Sequence, residues 1–229
     1  MNISKTRFLL LGASVVSLGA MLGTLLWLKL SPMPVRLSRE EQPLDGLNRY
    51  SAVPEFALIE RSGKNIRLGD LRGKVWVADF IYTNCKDTCP LQTAEMAKLQ
   101  EQWQRRWADR SDFKLVSFSV DPDHDTPQVL SDYADNFGAD RDRWWFLTGN
   151  KEQIANLVQA GFRLSAAPLT ENGSDDQVIL HSPRFVLVDG DAQIRGYYDS
   201  RDSDALARLK KDLATLMTAK RSSSDGSGN

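Results

Sequence analysis

The stretch VWVADFIYTNCKDTCP, residues 75–90, joins an apolar run directly to two closely spaced cysteines. Val75–Tyr82 is almost uninterrupted by charge, a pattern typical of a strand buried on both faces. Cys85 and Cys89 follow, and a helix pattern begins at Leu91. Side chains in such a strand-to-helix turn lie at the carboxyl end of the sheet, where open α/β folds place their sites. The stretch therefore predicts an α/β fold with two cysteines in an exposed turn at a functional position.

Strand and helix patterns alternate along the rest of the chain, which predicts a central sheet flanked by helices. The other predicted strands are a short arm at Asn65–Leu68 and the segments Phe113–Val120, Trp144–Leu147, Arg184–Val188 and Ile194–Tyr198. The predicted helices are Pro127–Asn136, Lys151–Ala160 and Asp204–Met217. Thr126 and Asn150 are the expected N-caps of the first two helices. Because the last two strands read as a hairpin, we expect a mixed sheet.

The composition of the 229-residue chain is that of an ordinary globular protein, with 41% hydrophobic and 26% charged residues. A formal net charge of −1 gives no basic excess for a nucleic-acid partner and no acidic block for a solvating tail. A single long apolar run excludes a polytopic membrane protein. Two cysteines are too few for a small disulfide-stapled fold.

The long apolar run lies near the N-terminus, where Phe8–Leu28 holds 21 residues without a charge. As a helix it would reach about 31 Å, the thickness of a bilayer hydrocarbon core. Small residues near Ala20 imitate a signal-peptide cleavage site, but apolar residues continue to Trp27, which favours an uncleaved anchor. Lys5 and Arg7 favour a cytoplasmic N-terminus. We therefore expect a single-pass protein of the bacterial inner membrane, with its soluble domain on the periplasmic or extracytoplasmic side.

Composition divides the chain into four regions. Residues 1–30 are assigned to the cytoplasmic N-terminus and transmembrane anchor, and residues 31–52, with their prolines and mixed charges, to an extended tether. Residues 53–217 are assigned to the folded domain. Residues 218–229, which end in SSSDGSGN, are expected to form a disordered tail.

Cys85 and Cys89 carry the chemistry that the sequence predicts most directly. A helix N-terminus favours negative charge and should lower the pKa of a nearby thiol. If both cysteines lie on one helical turn, their Cβ atoms are about 5–6 Å apart, so a disulfide requires a modest backbone adjustment. Two thiolates at that distance also suit one soft ion such as Cu(I) or zinc. A pair of ordinary buried cysteines is the alternative.

Two histidines are candidates for a third metal donor. His181 comes just before the predicted strand Arg184–Val188, and spacing alone leaves open whether it is a ligand or a hydrogen-bonded loop histidine. His124 lies in DPDHDTP, residues 121–127, which is interpreted as a solvated loop with Thr126 as helix cap.

Three motifs, taken together and in this order, resemble the Sco/SenC family. They are the CxxxCP turn that begins at Cys85, the DPxxDTP stretch that begins at Asp121, and the His-Ser pair before a strand ending at Val188-Asp189. The resemblance extends over about Pro54–Met217. It implies a membrane-tethered domain with a thioredoxin-like fold.

The resemblance also implies a site and partners. Carried over by motif, Cys85, Cys89 and His181 are the ligands of a copper ion, and the two cysteines are the redox-active pair. Family members help to load the binuclear copper centre of cytochrome c oxidase, as copper donor, thiol reductant or both. The implied partners are the copper-bearing subunit of the oxidase, other copper chaperones or thiol reductants, and the membrane.

Two positions bear on how this site works. Lys86 stands where the family often has proline, and its positive charge is expected to favour the thiolate of Cys85. Pro183 occupies the place of the cis proline that faces the dithiol in thioredoxin-like oxidoreductases, so we expect a cis bond between Ser182 and Pro183. A cis bond adds weight to a thiol-exchange role.

Two enzymatic alternatives stay open. An exported thiol–disulfide oxidoreductase needs Cys85 and Cys89 but not His181. A peroxidase is less favoured, because peroxiredoxins place a threonine three positions before the reactive cysteine, whereas Thr83 lies two before Cys85.

Overall fold

The computed structural model describes residues 47–108, 110–164 and 182–225, with side chains described as far as residue 219. The expected anchor and most of the expected tether lie outside these ranges. Within the described ranges, no helix is both long enough and apolar enough to cross a membrane.

Seven strands form one mixed sheet. The strands are β1 Ala57–Glu60, β2 Asn65–Arg67, β3 Val75–Ile81, β4 Phe113–Ser119, β5 Trp144–Thr148, β6 Arg184–Val188 and β7 Ile194–Asp199. Their order across the sheet is β2-β1-β5-β4-β3-β6-β7. β3, β4 and β5 are parallel neighbours, whereas β6 runs antiparallel to β3. The predicted mixed α/β sheet is confirmed, and sequence analysis missed only the four-residue strand β1 among these seven.

Helices cover the sheet. They are α1 Leu68–Leu71, α2 Thr88–Trp107, α3 Pro127–Asn136, α4 Lys151–Asn156, which continues as a π-helical turn over Leu157–Gly161, and α5 Ser203–Asp225. Thr126 accepts a hydrogen bond from the Val129 N–H, and Asn150 accepts one from the Gln153 N–H. Both predicted N-caps are therefore confirmed.

Two helix ends differ from the sequence prediction. Helix α2 begins at Thr88, three residues before Leu91, so that Cys89 and Pro90 lie in its first turn. A proline is tolerated there because the first-turn N–H groups have no partner within the helix. Helix α5 continues through Asp225, past Met217 and into the stretch predicted to be disordered. The sequence contains no proline or glycine between Ser203 and Gly226 to end it.

The core forms two layers because successive residues of β3 point to opposite faces of the sheet. All seven residues of β3 are buried. On one face, Trp76 and Phe80 pack with Phe118 and Phe162. On the other face, Val77 and Ile81 pack with residues of α2, α3 and α5, and this second layer contains Cys85 and Cys89.

The bond between Ser182 and Pro183 is trans, so the expected cis bond is wrong. Pro183 leads directly into extended β6, and its carbonyl accepts a hydrogen bond of 2.7 Å from the Ser200 N–H. This bond continues the pairing of β6 with β7, which a trans peptide accommodates.

Candidate functional site

The two cysteines meet where β3 passes into α2. Cys85 lies in the connecting loop, and its N–H donates to the Tyr82 carbonyl at 3.2 Å. Cys89 lies in the first helical turn, and its backbone N–H donates to the Cys85 sulfur at 3.4 Å. Both thiols are free. The loop therefore brings the two predicted sulfur donors together in reduced form.

The side chains of this pair are less exposed than predicted. Cys85 is 8% exposed and Cys89 only 2%, although Lys86 and Asp87 between them are exposed. The connecting loop directs Cys85, and the first turn of α2 directs Cys89, into the second core layer. The expectation of an exposed turn thus holds for the intervening residues and is wrong for the sulfurs.

The two thiols differ in their electrostatics. Burial is the largest influence on Cys85 and raises its pKa, but hydrogen bonds from the Cys89 N–H, the Asp87 N–H and the Tyr82 hydroxyl outweigh it, so the pKa lies below its ordinary value. Burial strongly raises the pKa of Cys89, and the nearby Cys85 and Asp79 raise it further. The thiolate form is therefore favoured more at Cys85 than at Cys89. The expected contribution of Lys86 stays a prediction.

A buried carboxylate fixes the loop before Cys85. Asp125 is fully buried, and it accepts hydrogen bonds from the Thr83 hydroxyl at 2.6 Å, the Ser119 hydroxyl at 2.6 Å and the Thr83 N–H at 3.2 Å. A ring nitrogen of His124 lies 2.9 Å from the same carboxylate. The loops after β3 and β4 are thereby joined into one unit.

This unit was missed by sequence reasoning. His124 is indeed partly solvated, with 43% of its side chain exposed, but its neighbour Asp125 belongs to the interior. The available signal was positional: because β3 and β4 are parallel neighbours, the loops that follow them share one edge of the sheet. An acidic residue in one loop and Thr83 in the other were therefore candidates for contact.

Polar groups also lie behind Cys89. The Thr93 hydroxyl donates to the Cys89 carbonyl at 2.8 Å and lies 2.9 Å from the Tyr133 hydroxyl of α3. Burial raises the pKa of Tyr133. Helix α3 is thus linked to the first turn of α2, which contains Cys89.

His181 lies outside the described residues. The pairing of Ala78 with Val186 places the start of β6 beside the end of β3, the strand that leads to Cys85. Within the described ranges, no three His, Cys, Asp or Glu side chains form a group able to hold a metal ion. Of the three predicted copper ligands, the described part of the chain therefore contains the two sulfur donors, Cys85 and Cys89.

Comparison with known proteins identifies the family. The family model described as SCO1/SenC matches residues 45–218. The SCO1 protein homolog of Bacillus subtilis is 35% identical over 181 residues, which cover 79% of this chain and 89% of that protein.

Solved structures share the fold. One is BsSco, a member of the Sco family of cytochrome c oxidase assembly proteins in which a disulfide switch was identified. It has a TM-score of 0.58 and 33% sequence identity, and the match covers 76% of this chain and 99% of the BsSco chain. Another is Bradyrhizobium japonicum ScoI with copper bound, with a TM-score of 0.56, 25% identity, and coverage of 70% and 99%. The match of one family model to most of the folded domain, the shared mixed α/β fold and the paired cysteines lead to one conclusion: this chain belongs to the SCO1/SenC family.

Proposed function

We propose that this protein is a copper chaperone that carries Cu(I) on Cys85 and Cys89 for the assembly of cytochrome c oxidase. The observation that carries the proposal is the 3.4 Å hydrogen bond from the Cys89 N–H to the Cys85 sulfur, because it brings the two cysteines close together. Thiolates are soft donors and prefer Cu(I) or zinc to hard cations. The copper-bound state of the related ScoI and the oxidase-assembly role stated for BsSco favour copper as the cargo.

His181 is proposed as the third donor. Its support is the antiparallel register that brings the start of β6 to the end of β3, together with Ser182, which is only 8% exposed beside it in sequence. A neutral imidazole adds a nitrogen to the two sulfurs and completes a low-coordinate site. A partner's own thiolates can then displace these donors one at a time.

The same two sulfurs give the site a redox control. Copper binding requires thiolates, and a disulfide between Cys85 and Cys89 removes both donors. Copper loading is therefore confined to the reduced protein.

We further propose that Phe8–Leu28 anchors the protein in the bacterial inner membrane, with the domain on the periplasmic or extracytoplasmic side. There the domain can contact the copper-bearing subunit of an oxidase, a copper chaperone or a thiol reductant.

A competition titration tests the copper site. The reduced full-length protein, in detergent, is titrated with Cu(I) against a chromophoric chelator, beside Cys85→Ser, Cys89→Ser and His181→Ala. His124→Ala is the matched control, because it removes the other histidine of the chain. We expect the first three variants to lose affinity by at least about tenfold and the control to bind as the wild type does. Equal affinity in all five proteins would contradict the ligand assignment.

A thiol–disulfide oxidoreductase is the second candidate, and the unequal thiols favour it. The lowered pKa of Cys85 beside the raised pKa of the buried Cys89 suits attack by the first sulfur and resolution by the second. This activity does not use His181. Full disulfide-exchange activity in a His181→Ala variant that no longer binds copper would support it.

A further inference from the structure

A cavity of about 440 Å³ lies at the end of the sheet opposite to the cysteines. Of its lining residues, Lys74 comes directly before β3, Lys114 lies at the start of β4, and Arg141 comes just before β5. The amino ends of three parallel strands therefore contribute to its wall, whereas Cys85 follows the carboxyl end of β3. Lys114 pairs in register with Trp76, so it lies on the face of the first core layer. The cavity is thus separate from the proposed copper site.

Basic side chains predominate in the lining of this cavity. The lining contains five basic residues and three acidic ones, although the whole chain has a net charge of −1. A surplus of positive charge in a concave site attracts anions, because the low-dielectric walls focus the field. The five basic residues are Arg61, Lys64, Lys74, Lys114 and Arg141.

The two arginines of the lining already have carboxylate partners. The Arg61 Nε lies 3.5 Å from a Glu60 oxygen, and the Arg141 Nη2 lies 3.2 Å from an Asp135 oxygen. Arg61 is also buried. These pairs neutralise the two guanidinium groups, so the recognition of an anion falls mainly to the lysines.

The ammonium groups of Lys74 and Lys114 are held in place without being neutralised. Lys74 donates a hydrogen bond of 2.6 Å to the Asp70 carbonyl, and Lys114 donates one to the Asp142 carbonyl. A backbone carbonyl fixes an ammonium group but leaves its net charge, and the remaining N–H groups can donate to a ligand. Within the described ranges, no Asp or Glu forms an ion pair with Lys64, Lys74 or Lys114.

An aromatic ring also positions Lys114. Its Nζ lies 4.8 Å from the centroid of the Trp145 ring, which is a cation–π contact. Burial and the charge of Lys74 lower the pKa of Lys114, while the acids Asp142 and Asp140 act in the opposite direction. The two ammonium groups are therefore close enough to repel each other, and an anion bound beside both would offset that repulsion.

The size and charge of the cavity define the class of ligand. Its volume falls within the range of about 300–1,000 Å³ that is typical of small-molecule sites. A dianion offsets two neighbouring ammonium groups better than a single carboxylate does. A phosphate monoester carries a charge of about −1.5 to −2 near neutral pH, and lysine is a common phosphate ligand in proteins. Trp145 and Ile66 add an apolar wall for an organic group.

We propose that this cavity binds a small organic phosphate monoester through Lys74 and Lys114, with the exposed Lys64 as a third contact. The inference goes beyond the proposed function and does not depend on it. Because the cavity and the cysteines lie at opposite ends of the sheet, a ligand in the cavity does not compete with copper for Cys85 and Cys89.

Isothermal titration calorimetry of the full-length protein in detergent tests this site. Adenosine monophosphate is the probe, because it joins a phosphate monoester to an organic group. Three further compounds separate the contributions to binding. Adenosine lacks the phosphate, inorganic phosphate lacks the organic group, and succinate is a dianion without phosphorus.

The protein variants remove one ammonium group at a time. Lys74→Met and Lys114→Met each remove the charge and keep an apolar side chain of similar length. Lys98→Met is the matched control, because Lys98 is an exposed lysine that pairs with Glu95 on α2, outside the cavity. Urea denaturation establishes that each variant is folded. Lys64→Met, at an exposed position, serves if a substitution at one of the half-buried lysines prevents folding.

We expect the wild type and Lys98→Met to bind adenosine monophosphate with a Kd below about 1 mM. The cavity variants should bind it at least about tenfold more weakly. The other three compounds should bind the wild type at least about tenfold more weakly than the monophosphate does. Absence of binding, equal affinity in all variants, or equal affinity for any of the three comparison compounds would overturn the inference. Cu(I) titration is a separate readout, so failure of copper binding would refute the proposed function and leave this result standing.

Discussion

The Thr83 hydroxyl donates a 2.6 Å hydrogen bond to the Asp125 carboxylate, and this contact ties the cysteine loop to the loop of the neighbouring strand. Asp125 is fully buried and also accepts from Ser119. Since Thr83 lies two residues before Cys85, the Asp125 carboxylate fixes the backbone that leads to Cys85. The site is therefore supported by a contact that joins two loops far apart in sequence.

Loss of this carboxylate should destabilise the domain. In Asp125→Ala, the hydroxyls of Thr83 and Ser119 lose their buried acceptor, which should lower the free energy of unfolding by about 2–4 kcal/mol. Urea denaturation measures the change. Asp123→Ala, which removes an exposed acid from the same loop, should change the free energy by less than about 0.5 kcal/mol. Equal effects of the two substitutions would show that Asp125 has no special structural role.

Alkylation should distinguish the two cysteines. Hydrogen bonds lower the pKa of Cys85, whereas burial raises the pKa of Cys89, so Cys85 carries more thiolate near neutral pH. The thiolate is the reactive form. We expect iodoacetamide to modify Cys85 at least about tenfold faster than Cys89, as followed by peptide mass spectrometry. Preferential modification of Cys89 would contradict the assignment.

The Tyr82 hydroxyl should be one source of this reactivity. It donates to Cys85, so Tyr82→Phe should raise the pKa of the thiol and shift its alkylation profile to higher pH. Lys86→Ala tests the contribution that the sequence suggested for the positive charge. Since Lys86 is exposed and solvent screens its charge, we expect a smaller upward shift than in Tyr82→Phe. A larger shift in Lys86→Ala than in Tyr82→Phe would reverse this order of causes.

Asp79 should make stability depend on pH. Burial raises its pKa in the folded state from 3.8 to about 7, so the folded protein binds this proton more tightly than the unfolded chain does. Its contribution to stability is greatest at low pH and is lost as the pH rises from about 4 to about 7. Across that window, wild type should lose up to roughly 4 kcal/mol of unfolding free energy relative to Asp79→Asn.

Urea denaturation of both proteins at several pH values measures this difference. The comparison between variants removes the contributions of the other titrating groups. A difference that stays constant from acid to neutral pH would mean that Asp79 titrates at its ordinary pKa, which would contradict the prediction.

The sheet and the helix caps were predictable because their signals are local. The apolar run at Val75–Tyr82 became β3, and Thr126 and Asn150 cap helices as expected. The closeness of Cys85 and Cys89 also follows from their spacing in the sequence. Each of these features depends on a few consecutive residues and on general preferences for strand, helix and cap.

The interior polar groups were not predictable in the same way. An aspartate in an acidic, turn-rich loop is ordinarily solvated, and Asp125 is buried only because β3 and β4 pair in parallel. The difference between Cys85 and Cys89 depends on α2 beginning at Thr88 rather than at Leu91. Such features depend on contacts between segments distant in sequence, which composition and periodicity do not report.

X-ray absorption at the copper edge tests the central claim most directly. The reduced full-length protein, loaded with one equivalent of Cu(I), should show two sulfur donors and one nitrogen donor. Cys85→Ser and Cys89→Ser should each retain a single sulfur, and His181→Ala should lose the nitrogen. A spectrum without sulfur, or one that the cysteine substitutions leave unchanged, would contradict a copper site built on Cys85 and Cys89.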